Sequence, residues 1–202
     1  MNFPKTAGQC KYVLALRSSK PIIIGTGPAG TGKTMLACNI ATEHILKHPR
    51  ARVVLTRPIV AADEDMGYLP GDMDQKMEPW TRPMYDIFEQ SMTHNQMDRC
   101  ICIEPLGYMR GRTFNHTLII ADEMQNSTPN QMKLLLTRLG EGTKIVVTGD
   151  LEQSDLEGAN GLENLVYKMQ CMELDYIQHV EMEDDDIIRH PAVKEVLGIL
   201  SK

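Results

Sequence analysis

The chain has little aromatic content, no surplus of positive charge and no apolar run approaching the roughly 20 residues that a bilayer-spanning helix needs. Aromatic residues are 5% of the 202 positions while Met occurs 14 times, so the core is expected to consist of aliphatic and flexible side chains. Acidic residues outnumber basic ones 27 to 21, for a formal net charge of −6. That balance excludes a protein that coats nucleic acid with a uniformly basic face, but leaves room for a few local arginines. The five cysteines, Cys10, Cys38, Cys100, Cys102 and Cys171, are odd in number and scattered, which excludes a disulfide framework. Cys100 and Cys102 lack a second Cys/His pair at zinc spacing and read as strand packing. No apolar segment precedes a cleavage-like site near the N-terminus, so a cytoplasmic protein with reduced thiols and no membrane partner is expected.

With 42% hydrophobic residues, the chain suffices for one substantial core, and 1–202 is read as a single domain. Short apolar runs at 21–25 (PIIIG), 52–56 (RVVLT), 100–103 (CICI), 117–121 (TLIIA) and 144–148 (KIVVT) are bounded by turn residues. Continuous runs of this kind suit strands buried on both faces of a mainly parallel sheet. Helical spacing appears at 34–46, and at 129–139, which opens with Ser127/Thr128 as a cap and Pro129 in the first turn. The alternation predicts an α/β fold, a mainly parallel sheet flanked by helices. Residues 61–98, rich in Met, Asp, Pro and Gly, break the pattern and read as an insertion on the rim, helical around 84–97. The acidic stretch 181–186 (EMEDDD) reads as a solvated loop, and 190–200 as a closing helix with Val193, Val196, Leu197 and Leu200 on one face.

Gly27, Pro28, Ala29, Gly30, Thr31, Gly32, Lys33 and Thr34 satisfy G-x-x-x-x-G-K-[ST] between an apolar strand and a helix, the context of a phosphate-binding loop. Glycines let the backbone turn its N–H groups inward, and the helix N-terminus adds positive potential. Lys33 reaches the β- and γ-phosphates of ATP, and the Thr34 hydroxyl suits Mg²⁺. The overlapping Gly25–Gly30 match to G-x-G-x-x-G is a by-product, since 52–56 runs into Arg57-Pro58 without the acid that a ribose needs. Asp122 and Glu123 end another strand: Asp122 is a candidate for the metal shell and Glu123 for orienting and deprotonating an attacking water. The next strand ends Thr148-Gly149-Asp150, and Asp150 and Gln153 are candidates to contact the γ-phosphate or the water. Gln125, two residues past Glu123, supplies a further amide.

D-E-x-Q-N followed by a strand ending T-G-D-x-x-Q resembles the motor motifs of superfamily-one helicases, and most closely the PhoH family of P-loop ATPases. The resemblance extends to Thr6-Ala-Gly-Gln9, Thr56-Arg57-Pro58, Gly67-Tyr-Leu-Pro-Gly71, Tyr108-Met-Arg110-Gly-Arg112-Thr113 and Arg189-His190-Pro191, covering about residues 5 to 199. It implies a RecA-like P-loop NTPase domain that hydrolyses ATP, assembles into a ring and acts on RNA. Gln9 then corresponds to the adenine-sensing glutamine, since an amide pairs with N6 and N7 of adenine. The chain departs from longer members in having no appended nuclease or RNA-binding domain, a bare form similar to phage-encoded members, and in Met124 and the acidic 63–65.

A single motor domain lacks the second domain that gives helicases an arginine for the γ-phosphate. A homo-oligomer, read as a hexamer, would supply one in trans, with Arg138 and Arg189 as candidates. Arg57, Arg110 and Arg112 could meet phosphates of RNA or single-stranded DNA, with Tyr108 stacking on a base. Arg110 and Arg112 could equally pair with carboxylates. Two alternatives stand beside the hydrolase: a small P-loop kinase, and a nucleotide-gated assembly module without turnover.

Overall fold

A computed structural model describes residues 4–58, 73–156 and 158–190, together with Ala192, Val193, Val196 and Ile199, and for 73–80 the backbone alone. Six strands form one parallel sheet: β1 (Ile22–Thr26), β2 (Arg52–Thr56), β3 (Ile101–Ile103), β4 (Thr117–Ala121), β5 (Lys144–Gly149) and β6 (Ile177–Glu181), in the order β3-β2-β4-β5-β1-β6. Strand β5 is therefore wedged between β4 and β1, with Ile120 beside Val146 and Ile24 beside Val147. The wedge brings the C-terminal tips of three strands together.

The central strands β1, β2, β4 and β5 are largely apolar because helices cover both faces. On one side Ile23, Val53, Leu55, Ile120 and Val146 pack against α1 (Ala7–Arg17), α2 (Lys33–Lys47) and part of α3 (Met73–Glu89). On the other, Ile22, Ile24, Val54, Ile119, Ile145 and Val147 meet α5 (Pro129–Leu136) and α6 (Gly161–Met169). Local chemistry sets the helix starts. The Thr6 hydroxyl accepts from Gln9 N at 3.2 Å to open α1, and Asn160 Oδ1 accepts from Leu162 N and Glu163 N to open α6. In α5 the expected Thr128 cap is one half of a capping box, with Gln131 Oε1 accepting from Thr128 N at 2.9 Å.

Five of the six strands lie where apolar runs were read, shifted by a residue at most. The sixth, β6, was read as neither strand nor helix. As an edge strand carrying Gln178 and His179 it has no continuous apolar run, although Val180 is buried. Helix α6, also unread, buries Leu162 and Val166. The 61–98 segment lies partly outside the described residues. Its described part, with α4 (His94–Cys100), forms the crossover from β2 to β3 and sends Met84, Phe88, Met92 and Met97 into the α1–α2 core. Of the acidic run, Asp184–Asp186 forms one 3₁₀ turn whose Asp186 is buried. The closing helix falls largely outside the described residues; Val193, Val196 and Ile199 are helical and exposed. No helix among the described residues is long and apolar enough to cross a membrane.

Phe88 is fully buried among these side chains. Phe88→Ala is expected to cost about 3–5 kcal/mol in urea unfolding, the range for an aromatic cavity in a packed core. A loss near zero would mean that α3 does not share the core.

Candidate functional site

The phosphate loop follows β1, the acid pair follows β4 and Asp150 follows β5, so one edge of the sheet collects the candidate site. Backbone sterics shape the loop. Gly30 has φ +91°, and a Cβ there would stand 2.5 Å from Arg189 Nε. Gly27 has φ +139° with the Met182 carbonyl against its Cα, where no side chain fits. Lys33 folds back over the loop, its Nζ donating to Gly27 O at 2.6 Å and Pro28 O at 2.9 Å. Burial pulls the Lys33 pKa below its ordinary value, against the pull of Asp150, Glu123 and Asp122 in the other direction.

Asp122 joins three elements: its Oδ1 accepts from Thr34 Oγ1 of α2 at 2.7 Å and from Thr148 Oγ1 of β5. A hydroxyl and a carboxylate meeting in this way are the hard oxygen donors that Mg²⁺ takes, so the residues present fit that ion. The next residue, Glu123, adopts the left-handed region at φ 53°. For a non-glycine residue that conformation is strained and marks functional turns. It leads into a 3₁₀ turn, Met124–Asn126, that packs onto the α5–α6 side.

Gln125 is buried and uses both ends of its amide. Its Nε2 donates to Glu123 Oε2 at 2.6 Å, and its Oε1 accepts from Asp150 N at 3.1 Å. Asp150 Oδ2 in turn accepts from Ala29 N of the phosphate loop at 3.1 Å. A continuous path thus runs from Glu123 through Gln125 and Asp150 into the loop. Asn126 faces away from it and exchanges two hydrogen bonds of 2.9 Å with Asp155. The arrangement can bind a nucleotide's phosphates, hold a cation and poise a carboxylate over a water.

Other candidate residues are placed less centrally. Gln153 is exposed in the turn after Asp150, where its backbone N donates to Asp150 O at 3.3 Å. Gln9 is fully buried, donating to Thr31 O at 3.0 Å and accepting from Lys5 N at 2.9 Å, so it braces the loop from α1. Arg189 also braces it, donating to Ala29 O at 2.7 Å, beside the bond from Ile188 N to Gly30 O. Arg138 lies past the end of α5, away from the loop, where it donates to Leu134 O and Arg112 O. Arg112 pairs with Glu104 at 2.6 Å and lies over the Phe114 ring. Tyr108 and Arg110 are exposed and Arg57 is half-buried after β2.

Sequence reading missed Thr148, Asp186 and His179. Thr148 sits two residues beyond Val146 on the same face of β5, and that alternation was the signal that could have found it. Asp186 accepts from Gly8 N and Glu183 N, tying α1 to the chain that supplies Arg189. His179 Nε2 lies 2.7 Å from Thr26 Oγ1 at the start of the loop. Nothing local distinguishes either from a surface residue.

The family profile described as PhoH-like protein matches residues 3–201. A PhoH-like protein of Bacillus subtilis is 42% identical over 204 residues, covering 98% of this chain and 63% of that protein. Protein PhoH of Escherichia coli K12 is 42% identical over 159 residues, covering 75% and 45%. The chain therefore spans less than two thirds of the length of these curated relatives. Among solved structures, the large terminase of a thermophilic bacteriophage, in complex with ATP-gamma-S, aligns over 98% of this chain and 50% of its own, with a TM-score of 0.59 at 14% identity. The Pif1 helicase of Candida albicans aligns over 99% and 44%, with a TM-score of 0.51 at 17% identity. These two likenesses establish the RecA-like P-loop fold.

Gln125→Leu would leave Asp150 N without its acceptor and free the Glu123 carboxylate. Urea unfolding is expected to show a loss of about 1–3 kcal/mol, the penalty of an unpaired buried group. Burial holds His179 below its ordinary pKa of 6.5, with Glu181 opposing. As pH falls through 6.5 the unfolded chain therefore takes up this proton before the folded chain does, and stability declines. His179→Gln is expected to flatten part of that acid-side slope in thermal melts between about pH 7 and 5.

Proposed function

The chain belongs to the PhoH-like protein family, and on that premise we propose that it is a Mg²⁺-dependent ATP hydrolase working as a homo-oligomeric ring, a hexamer, on RNA or single-stranded DNA. The observation that carries the hydrolase reading is the joined pair of contacts at the strand tips, Thr34 to Asp122 and Glu123 through Gln125 to Asp150. Mg²⁺ held by the Thr34 hydroxyl and the Asp122 carboxylate would neutralise charge on the β- and γ-phosphate oxygens. Lys33 exchanges the Gly27 and Pro28 carbonyls for phosphate oxygens, an ionic partner better suited to a buried ammonium. Glu123 orients a water in line with the γ-phosphate and accepts its proton. Gln125 senses the change, because its amide bonds both Glu123 and the backbone of Asp150.

Charge growing on the γ-phosphate in the transition state calls for a further cation, which a ring supplies from the neighbouring copy. Arg138 and Arg189 remain the candidates for it. Each would have to leave the carbonyls that it now bonds: Leu134 and Arg112 for the first, Ala29 for the second. The exposed Tyr108 and Arg110 support contact with single strands, one offering a stacking face and the other a cation.

Glu123→Gln is expected to bind Mg-ATP with little change while lowering turnover by about 10²–10⁴-fold, the usual contribution of a general base. An assembly module would keep its oligomeric mass and behaviour in the same variant, and a kinase would lose transfer to a metabolite but not a water-dependent rate. Titration with fluorescent single-stranded RNA should weaken steeply as salt rises. Affinity indifferent to salt would remove the nucleic-acid half of the reading.

A further inference from the structure

A cavity lies away from the phosphate loop, on the α1–α2 side and toward the start of β4 and β5. It is an open-mouthed recess of about 390 Å³, within the range of small-ligand sites. Its floor is apolar, formed by Leu16, Ala37, Ile40, Leu118 and Val146. Its rim carries Lys47, together with Lys144, whose Nζ donates to Leu16 O and Ser18 O; His44 and His116 stand beside them, and the carboxylate of Glu43 is taken up by Arg17 through two bonds of 2.9 and 3.0 Å.

Two further features set this place apart. His116 is, with Glu123, one of two non-glycine residues among the described ones with positive φ, at 50°, and its ring lies against Gly142 at the cavity wall. Strain of this kind is retained where the surroundings over-determine a side chain's position. Burial, and then the charges of His48 and Lys144, lower the His44 pKa, so His44 offers a ligand a neutral ring nitrogen while Lys47 offers the charge.

We propose that this cavity binds a small organic anion, an apolar body seated on Ile40, Leu118 and Val146 with its acidic group at the Lys47–His44–His116 rim, and that its occupancy is coupled to the nucleotide site. The coupling follows from the elements that build it, and rests on the nucleotide-binding reading above. Each carries a phosphate-site residue farther along: α1 carries Gln9, α2 carries Lys33 and Thr34, β4 leads to Asp122, and β5 to Thr148 and Asp150. A ligand that shifts α2 against β4 and β5 alters the Thr34–Asp122–Thr148 contact without touching it. By linkage, nucleotide alters affinity for the anion to the same extent.

The probe is 1-anilinonaphthalene-8-sulfonate, an apolar anion whose fluorescence rises in such a site, titrated into the intact protein with and without saturating MgADP. Saturation near one probe per chain that survives MgADP is expected, since the cavity shares no residue with the phosphate loop. Lys47→Glu, a change on the exposed face of α2, should weaken the probe about fivefold or more by reversing a rim charge. Ile40→Trp should abolish binding by filling the floor. Binding that is displaced entirely by MgADP, or indifferent to Lys47→Glu in a protein with an unaltered unfolding curve, would overturn the site. An affinity for the probe that is identical with and without MgADP would overturn the coupling while leaving the nucleotide reading intact, because ADP binding is measured independently by calorimetry.

Discussion

One carboxylate oxygen, Asp122 Oδ1, takes hydrogen bonds from two hydroxyls that belong to different elements, Thr34 at the head of α2 and Thr148 in β5. The rest of the site depends on this meeting point. It can exist only because β5 lies between β4 and β1, so that the loop after β1 and the acids after β4 approach each other across the tip of a third strand. Asp122 is largely buried, and a buried carboxylate is tolerated when its oxygens are bonded. Its two hydroxyl partners, Thr34 and Thr148, meet that need at Oδ1.

Around this point the phosphate loop is braced from several directions, by Gln9 on Thr31 O, by Asp150 on Ala29 N, and by Arg189 and Ile188 N on the carbonyls of Ala29 and Gly30. Each brace comes from a part of the chain distant in sequence, and three of the residues, Gln9, Asp150 and Arg189, are ones whose motifs suggest a nucleotide contact. The carbonyls of Ala29, Gly30 and Thr31 and the Ala29 N–H are thereby bonded within the chain. Asp186 extends the bracing, fastening the turn ahead of Arg189 to the first turn of α1.

Much of this was legible in the sequence, and for a physical reason. Central parallel strands are buried on both faces, so β1, β2, β4 and β5 are nearly uninterrupted apolar runs that turn residues close off. The phosphate loop was equally plain, because its glycines answer to backbone geometry and its Lys33 and Thr34 to fixed chemistry. Strand β6 was not legible, since an edge strand with Gln178 and His179 carries no such run. Gln125 could be singled out as an unexpected amide, but its two partners depend on how β5 stands beside β4. The same holds for Arg189: its motif was visible, yet only the fold directs it at its own loop instead of outward. The cavity beneath α2 left no motif at all, because its lining comes from four separate elements.

The strand order also bears on how the chain is made. Strand β1 acquires its neighbours β5 and β6 only after more than half the chain has followed it, so its pairings are of long range and costly to close. A nascent chain holding residues 1–140 has its phosphate loop and its acid pair but lacks the strand that keeps them in register. The loop and the acid pair come into register only when β5 inserts, and the bracing by Ile188 and Arg189 follows later in the chain.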